Sequence, residues 1–217
     1  MSEGDTEHQD SMGNKGNPGP GGAQRRKAAS GVIPPGMPKQ ENGVMHGFQL
    51  WINLPAANKM DTPAYQEYTA EAFPSVETYA AKVKVVIGDF KGAVSPIQDE
   101  ITQVNYLDVE LKPQQRFEHA LAESNNTFLY VFAGEGQVNG QQVSVDELLT
   151  LAAGADVVAG EEGVRFLLVS GKPIKEPIAQ GGPFVMNTRE EIDQAMRDYQ
   201  SNSFVRDRAW VNRKNAL

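Results

Sequence analysis

The sequence predicts an all-β protein with a single helix close to the end of the chain. Apolar and polar residues alternate in several short runs, of which 104–111 is the most regular, and such alternation is typical of strands. Residues 127–133 (TFLYVFA) are almost all apolar, which indicates a central strand buried on both faces. Asn139-Gly140 lies between two further runs, and this pair is the strongest short-range signal for a hairpin. Short strands at this spacing favour a barrel or a sandwich.

The first regular pattern of the chain lies at residues 46–55. Phe48, Leu50 and Ile52 occupy alternate positions, so the segment is predicted to be a strand with two different faces. Trp51 falls on the other face, which predicts that this face is also partly covered. The preceding 40 residues are rich in Gly and Pro and carry few large apolar side chains. Such a segment buries too little apolar surface to offset its ordering entropy, so composition alone predicts a disordered tail.

The rest of the chain is predicted to form one complete barrel followed by a helix. Residues 83–87 form a strand that closes at Gly88, and 89–96 are predicted to be a loop. Residues 99–171 contain enough short strands for a small barrel that is complete in itself. Thr188 begins a capping-box pattern that opens the helix. One apolar face follows it at helical spacing, formed by Ile192, Ala195, Met196 and Tyr199.

Three runs of the sequence resemble the pirin family. They are HGFQLWINLP at 46–55, Lys59-Met60 followed by PAYQE at 63–67, and GPFVMNT at 182–188. The runs occur in the family's order and are well separated, and the resemblance covers about residues 37–217. It implies a bicupin, with two small β-barrels in one chain. It also implies that the N-terminal barrel holds one non-haem iron through three His and one Glu. Members are quercetin-type dioxygenases or iron-dependent partners of transcription factors.

On this resemblance we expect a pirin-like bicupin with a complete C-terminal barrel, an incomplete N-terminal barrel and a C-terminal helix. Residues 1–36 are expected to be a disordered or degenerate remnant of the N-terminal cupin. Residues 37–98 supply partial N-terminal cupin strands and a connector. The C-terminal cupin barrel is expected at 99–187, and the helix and tail at 188–217.

The family's iron ligands are expected to be lost. One His and the Glu of the family pattern fall at Pro34 and Gly36, whose side chains offer no donor atom. The resemblance places the other two ligands in a Pro-His-x-His segment before the first residue of this chain. The three histidines, His8, His46 and His119, lie in unrelated segments, whereas an iron site of this type needs several converging imidazole and carboxylate groups. We therefore expect no catalytic residue and no metal ligand, with His46 and His119 as weak candidates.

The second barrel offers one weak alternative for a metal site. His119 lies beside Glu118 and close to Glu123, just before the buried strand at 127–133. One His and two carboxylates could bind a divalent ion, but this set falls short of a usual transition-metal site. A His that is hydrogen-bonded locally or lies at the surface is the favoured interpretation of His119.

Composition excludes several functional classes. The net charge of −8 argues against a broad nucleic-acid-binding face, because phosphate contacts need clustered Lys and Arg. The chain has no Cys, so disulfides and thiolate chemistry are excluded. No apolar run approaches the length of a membrane span, of about 20 residues. We expect a soluble intracellular protein, cytoplasmic or, in a eukaryote, nuclear.

Two functions from different classes follow. The first is a non-catalytic pirin-like cupin protein that needs no cofactor and serves at most as a protein-interaction module, with a partner such as a transcription regulator. The alternative is an iron-dependent quercetin 2,3-dioxygenase of the pirin type. The family includes enzymes, so the resemblance alone leaves open whether this chain is one. The loss of the ligand positions predicts an inactive protein.

Overall fold

The computed structural model divides the chain into two compact units. It describes residues 8–9, 15–16, 19–29, 46–201, 203–204 and 211–213. The split unit consists of Met1–Ala72 together with Ile174–Leu217, and the central unit is Phe73–Pro173. Pro34 and Gly36, the positions where the family's iron ligands were expected, lie outside the described residues.

The described elements are 17 strands, one α-helix and two single-turn 3-10 segments. In the split unit the chain first forms β1 (His8–Gln9), β2 (Lys15–Gly16), β3 (Ala23–Lys27) and β4 (Ala64–Tyr68), with 3-10 turns at Ala56–Asn58 and Ala70–Ala72. The central unit contains β5 (Ser75–Glu77), β6 (Ala81–Ile87), β7 (Asp89–Phe90), β8 (Ala93–Val94), β9 (Asn105–Leu111), β10 (Arg116–Ala120), β11 (Asn126–Val138), β12 (Gln141–Val143), β13 (Leu148–Leu151) and β14 (Gly154–Gly171). The split unit is completed by β15 (Ala179–Gly181), β16 (Phe184–Met186), α1 (Arg189–Gln200) and β17 (Val211–Arg213).

The central unit is an eight-stranded antiparallel sheet wrapped around an apolar core. Its strand order is β12-β11-β14-β9-β6-β5, with β10 also paired to β14 and β13 to β11. The long strands β11 and β14 change register twice, between Val131 and Ala133 and between Gly134 and Gly136. Such irregularities bend a strand, and they let each long strand pair with different neighbours along its length. The completely buried side chains include Val85, Val109, Leu129, Val131, Val157 and Phe166.

Several predicted strands are confirmed in the central unit. The run 104–111 forms β9, and the apolar run 127–133 forms the first half of β11. The Asn-Gly hairpin joins β11 to β12, with φ of 50° at Asn139 and 81° at Gly140, as this turn requires. Two strands that the sequence analysis assigned to the first barrel, β5 and β6, pair with the sheet of the central unit.

The predicted loop at 89–96 contains a short hairpin instead. Its two strands, β7 and β8, pair only with each other among the described residues. The turn lies at Lys91 and Gly92, both with positive φ, of 46° and 84°. Strands of two residues carry too little alternation to be detected by a sequence pattern.

In the split unit, β4 lies between two other strands. It pairs antiparallel with β3 and parallel with β17. The buried side chains of β4 are Tyr65 and Tyr68, which are 5% and 4% exposed and lie on opposite faces of the strand. On β3, the Arg26 guanidinium lies 5.5 Å from the centre of the Tyr65 ring. Part of the region predicted to be a tail is therefore a paired strand.

Helix α1 confirms the capping box predicted at Thr188. The Thr188 side chain accepts a hydrogen bond from the Glu191 N–H, and the Glu191 carboxylate accepts one from the Thr188 N–H. Ile192 is completely buried and lies so close to Gly181 that a Cβ there would be 2.6 Å from Cγ2 of the isoleucine. Over the stretches that the structure describes, no helix is long and apolar enough to cross a membrane.

The strand predicted at 46–55 is wrong. His46 forms an isolated bridge, and residues 47–55 have no strand assignment. Trp51 is 61% exposed, so the face that was expected to be partly covered is open to solvent. Alternation shows only that a segment could have two faces, whereas a strand also needs a partner with which to form a ladder.

Candidate functional site

The first candidate residue, His119, lies on β10 of the central unit and points to the same side as Phe117. Its half-buried ring is 5.4 Å from the ring centre of Phe90 and 6.2 Å from that of Phe117. Phe117 in turn contacts Phe166 edge-on at 5.8 Å. His119 is therefore part of an aromatic cluster that belongs to the apolar core.

This environment favours the neutral form of the His119 imidazole. Burial lowers the pKa of His119, and the nearby Lys91 ammonium lowers it further. The Asp89 carboxylate opposes these effects by raising the pKa. A neutral imidazole offers one N–H donor and one nitrogen acceptor to a ligand.

A shallow, open depression of about 590 Å³ adjoins His119. Its lining is mostly small and includes Ala120, Ala152, Ala153, Gly154 and Ala155. The carboxylates at its edge, Glu118 and Asp156, both form ion pairs with Arg116, at 3.0 and 2.7 Å. These carboxylates are thus engaged in a surface ion-pair network and do not converge with His119 on one point.

The second candidate, His46, lies in the split unit. Its ring is 5.2 Å from that of Phe48, and the side chain is half-buried. Each candidate histidine thus has an aromatic neighbour, and the structure describes the two in separate units.

The described residues do not fit the iron centre that the family resemblance implies. Within those parts of the chain, no three His, Asp or Glu side chains come close enough together to hold a metal ion. A mononuclear iron site needs such a set of imidazole and carboxylate donors.

Sequence analysis missed a buried polar cluster in the split unit, which we call the Lys59 clasp. Lys59 is only 6% exposed, and its ammonium donates to Asn53 Oδ1 at 2.6 Å and to the Val185 carbonyl at 3.0 Å. Burial lowers the pKa of Lys59, and the carboxylates of Glu176 and Glu191 oppose this effect. Lys is rarely buried unless it is paired, and a single sequence gives no signal of such distant partners.

Glu176 and Asn187 extend the clasp. One carboxylate oxygen of Glu176 accepts from the Ala56 N–H at 2.7 Å and from Asn187 Nδ2 at 2.9 Å. Asn187 Nδ2 also donates to the Pro177 carbonyl, and the Asn187 N–H donates to Glu191. The Lys59 clasp therefore joins the runs at 46–60 and 182–188, which carry much of the family resemblance. The structure brings these distant runs together through hydrogen bonds between side chains and backbone groups.

Comparisons with known proteins match two stretches of this chain to models of one family. Residues 1–52 match the model described as pirin, and residues 106–205 match the model of the pirin C-terminal cupin domain. A pirin-like protein of Caulobacter vibrioides is 39% identical over 209 residues, which cover 94% of this chain and 75% of that protein. A Pseudomonas aeruginosa protein provisionally named a quercetin 2,3-dioxygenase is 39% identical over 208 residues, covering 92% of this chain and 73% of that protein.

Solved structures give the same result for the fold. The crystal structure of a quercetin 2,3-dioxygenase from Acinetobacter baumannii is similar with a TM-score of 0.81 and 26% sequence identity. The similarity covers 93% of this chain and 73% of that one. It confirms the predicted all-β fold of the cupin type. Together with the close relatives and the two matching models, it establishes that the chain belongs to the pirin family.

Proposed function

We propose that this chain is a pirin-family cupin protein without the family's iron centre, and that it acts through protein contacts rather than catalysis. The observation that carries the proposal is the pair Pro34 and Gly36, which stand where the family pattern has a His and a Glu ligand. Proline and glycine have no side-chain donor, so neither position can bind a metal through its side chain. The lack of a converging donor set in the described regions is consistent with this proposal.

The partner we propose is a protein, such as a transcription regulator, inside the cell. The net charge of −8 disfavours direct contact with nucleic acid. Exposed apolar side chains on the segment 46–60 support a protein contact, since exposed apolar residues that lie close together mark interaction surfaces. The most exposed of them are Trp51 at 61% and Met60 at 54%.

The alternative is an iron-dependent quercetin 2,3-dioxygenase. It is favoured by the similarity to the Acinetobacter baumannii enzyme and to the Pseudomonas aeruginosa protein. The two functions predict opposite results in one assay, so they can be separated directly.

The test is quercetin turnover by the purified chain after incubation with ferrous iron. The Acinetobacter baumannii protein, treated in the same way, is the positive control. We expect turnover by the control and none above the iron-only background for this chain. Turnover that depends on this chain and on iron would overturn the proposal and establish the alternative.

The partner is tested by comparing the chain with its Trp51→Asp variant. We expect a transcription regulator that binds the chain to bind this variant at least about tenfold more weakly, because an interface loses its aromatic anchor. The control is Tyr79→Asp, which changes an aromatic residue of the central unit that is even more exposed, at 85% against 61% for Trp51. Equal loss in both variants would contradict a contact at 46–60.

A further inference from the structure

The segment 47–54 of the split unit belongs to none of the described strands. The chain runs from residue 47 to residue 55 without a turn or a bend. Within the described residues, no hydrogen bond involves the stretch from Gln49 to Ile52. The side chains of Trp51 and Ile52 are 61% and 40% exposed. This stretch therefore presents the N–H and C=O groups that the edge of a sheet offers to a further strand.

The segment also lacks the charged side chains by which edge strands usually avoid pairing with other chains. Residues 46–55 (HGFQLWINLP) contain no Asp, Glu, Lys or Arg. By contrast, β3 lies at one edge of the three-stranded sheet in the same unit and contains Arg25, Arg26 and Lys27. Like charges oppose the pairing of β3 with its counterpart in a second copy, whereas nothing of that kind protects the segment 47–54.

The alternation of this segment fits an antiparallel copy of itself. If the two-fold axis passes through Leu50, Phe48 of each copy lies opposite Ile52 of the other. These three residues share one face, because side chains alternate along a strand, and aromatic residues opposite β-branched ones stabilise a sheet. On the other face Trp51 lies opposite Gln49, so the pairing brings no charged groups together.

We propose that residues 47–54 pair antiparallel with the same segment of a second copy of this chain, with Leu50 on the two-fold axis. A second copy is favoured over an unrelated strand because the uncharged, alternating segment is complementary to itself in this register. The pairing supplies hydrogen-bond partners to the main chain between Gln49 and Ile52.

The paired form covers part of the segment 46–60, where we propose that a transcription regulator binds. Self-pairing and binding of the regulator would then exclude each other, so the concentration of the chain would control access to this surface. Only this consequence rests on the proposed function. The pairing itself requires neither a regulator nor a metal.

Cysteine cross-linking tests the register, since the chain has no cysteine of its own. Leu50→Cys places two thiols opposite each other, with the Cα atoms about 4.5–5.5 Å apart, which a disulfide can bridge. The matched control is Gly47→Cys, whose two copies would lie about 20 Å apart along the paired strands. We expect diamide to cross-link Leu50→Cys at least about tenfold faster, because a disulfide cannot span the larger distance. Equal rates for the two variants would overturn the proposal.

The mass of the chain in solution, measured by sedimentation equilibrium, tests the pairing itself. We expect a reversible dimer of the unaltered chain and a monomer for Leu50→Lys, which places two ammonium groups opposite each other. Ile178→Lys changes another exposed apolar residue of the split unit, at 69%, and should pair as the unaltered chain does. An unaltered chain that is monomeric at about 100 μM, where a pair of micromolar affinity is almost fully formed, would overturn the proposal. So would a dimer that Leu50→Lys leaves intact.

Amide hydrogen exchange of the unaltered chain shows whether the main chain takes part, and it needs no variant to fold. We expect exchange in the segment 47–54 to slow as the concentration of the chain rises. Residues 164–170, which are already paired with β9, should keep their exchange rate. A dimer without slower exchange at 47–54 would contradict strand pairing. Because no regulator is present in these measurements, a failure of the pairing is distinguishable from a failure of the proposed function.

Discussion

The two compact units of this protein are stabilised in different ways. The central unit has continuous antiparallel ladders and an apolar core that contains completely buried residues such as Val109 and Phe166. In the described part of the split unit, the buried apolar side chains are Tyr65, Tyr68 and Ile192. The Lys59 clasp adds a buried lysine and its hydrogen bonds to that unit. The stabilisation that apolar burial provides depends little on the exact position of each partner. A buried ammonium, by contrast, is stable only when its hydrogen-bond acceptors are in place.

This difference bears on how each unit tolerates change. A large apolar core loses stability in proportion to the volume removed, and the remaining side chains partly compensate. A buried polar cluster is destabilised by the loss of a single partner, because the remaining polar groups stay buried without hydrogen bonds. Substitutions in each unit separate these two behaviours.

The largest effect is expected in the core of the central unit. Phe166→Ala removes a completely buried ring that contacts Phe117 edge-on. We expect a loss of about 3–5 kcal/mol in the free energy of unfolding, the usual cost of such a truncation. Chemical denaturation followed by circular dichroism measures it. The control is Val158→Ala on the same strand, where the side chain is 38% exposed and the expected change is within about 0.5 kcal/mol. Similar losses in both variants would contradict the assigned core.

The next effect concerns the bend in β11. A Cβ at Gly134 would overlap the carbonyl oxygen of Gly163, and Gly134 also has a φ of 71°. Gly140 has a φ of 81°, but a Cβ there would contact nothing within 4 Å. We expect Gly140→Ala to cost about 1–2 kcal/mol from backbone strain alone. Gly134→Ala should cost more, because the steric overlap is added to the strain. Equal unfolding midpoints for the two variants would show that the close approach to Gly163 is not important.

In the split unit, the test is Lys59→Met. The change keeps an apolar side chain of similar length but leaves Asn53 Oδ1 and the Val185 carbonyl without their donor. We expect a loss of about 1–3 kcal/mol, the cost of leaving such buried groups unsatisfied. Amide exchange should show the loss in the split unit, with the central unit unchanged. Lys175→Met changes an exposed lysine of the same unit and should have no effect. If exchange rises equally in both units, the clasp does not act locally.

The smallest effect is a pH dependence caused by His119. Because its pKa is lowered in the folded protein, the unfolded chain binds more protons just below pH 6.5. Stability of the central unit is therefore highest above pH 6.5 and falls as the pH decreases through the lowered pKa. His119→Gln should flatten this part of the pH profile of the unfolding free energy. A variant whose stability declines as steeply as that of the unaltered chain would contradict the assignment to His119.

Much of the fold could be predicted because it depends on local patterns. The alternation at 104–111 and the turn at Asn139 determine strands and a hairpin without reference to distant residues. The capping box at Thr188 does the same for α1. The segment 46–55 could not be predicted in this way, since its alternation resembles a strand but no described strand pairs with it. The exposure of the Trp51 side chain depends on which distant residues pack near it, and local alternation does not show this.

The candidate site was less predictable than the fold. Sequence reasoning found His119 but not its place in an aromatic cluster with Phe90, because Phe90 lies in a segment that has no strand pattern. Lys59 belongs to a run that resembles the pirin family, but nothing in the local sequence predicts its burial. Lys59 donates to Val185, 126 positions away, and His119 contacts Phe90, which lies in a separate hairpin. Local spacing carries no information about such contacts.

The most direct test of the proposed function is the metal content of the purified full chain. The chain is incubated with ferrous iron, separated from free metal and subjected to elemental analysis. The account predicts no stoichiometric iron, because Pro34 and Gly36 offer no side-chain ligand. One iron bound per chain would contradict it, and His46, His119 and their nearby carboxylates would then be the first groups to mutate.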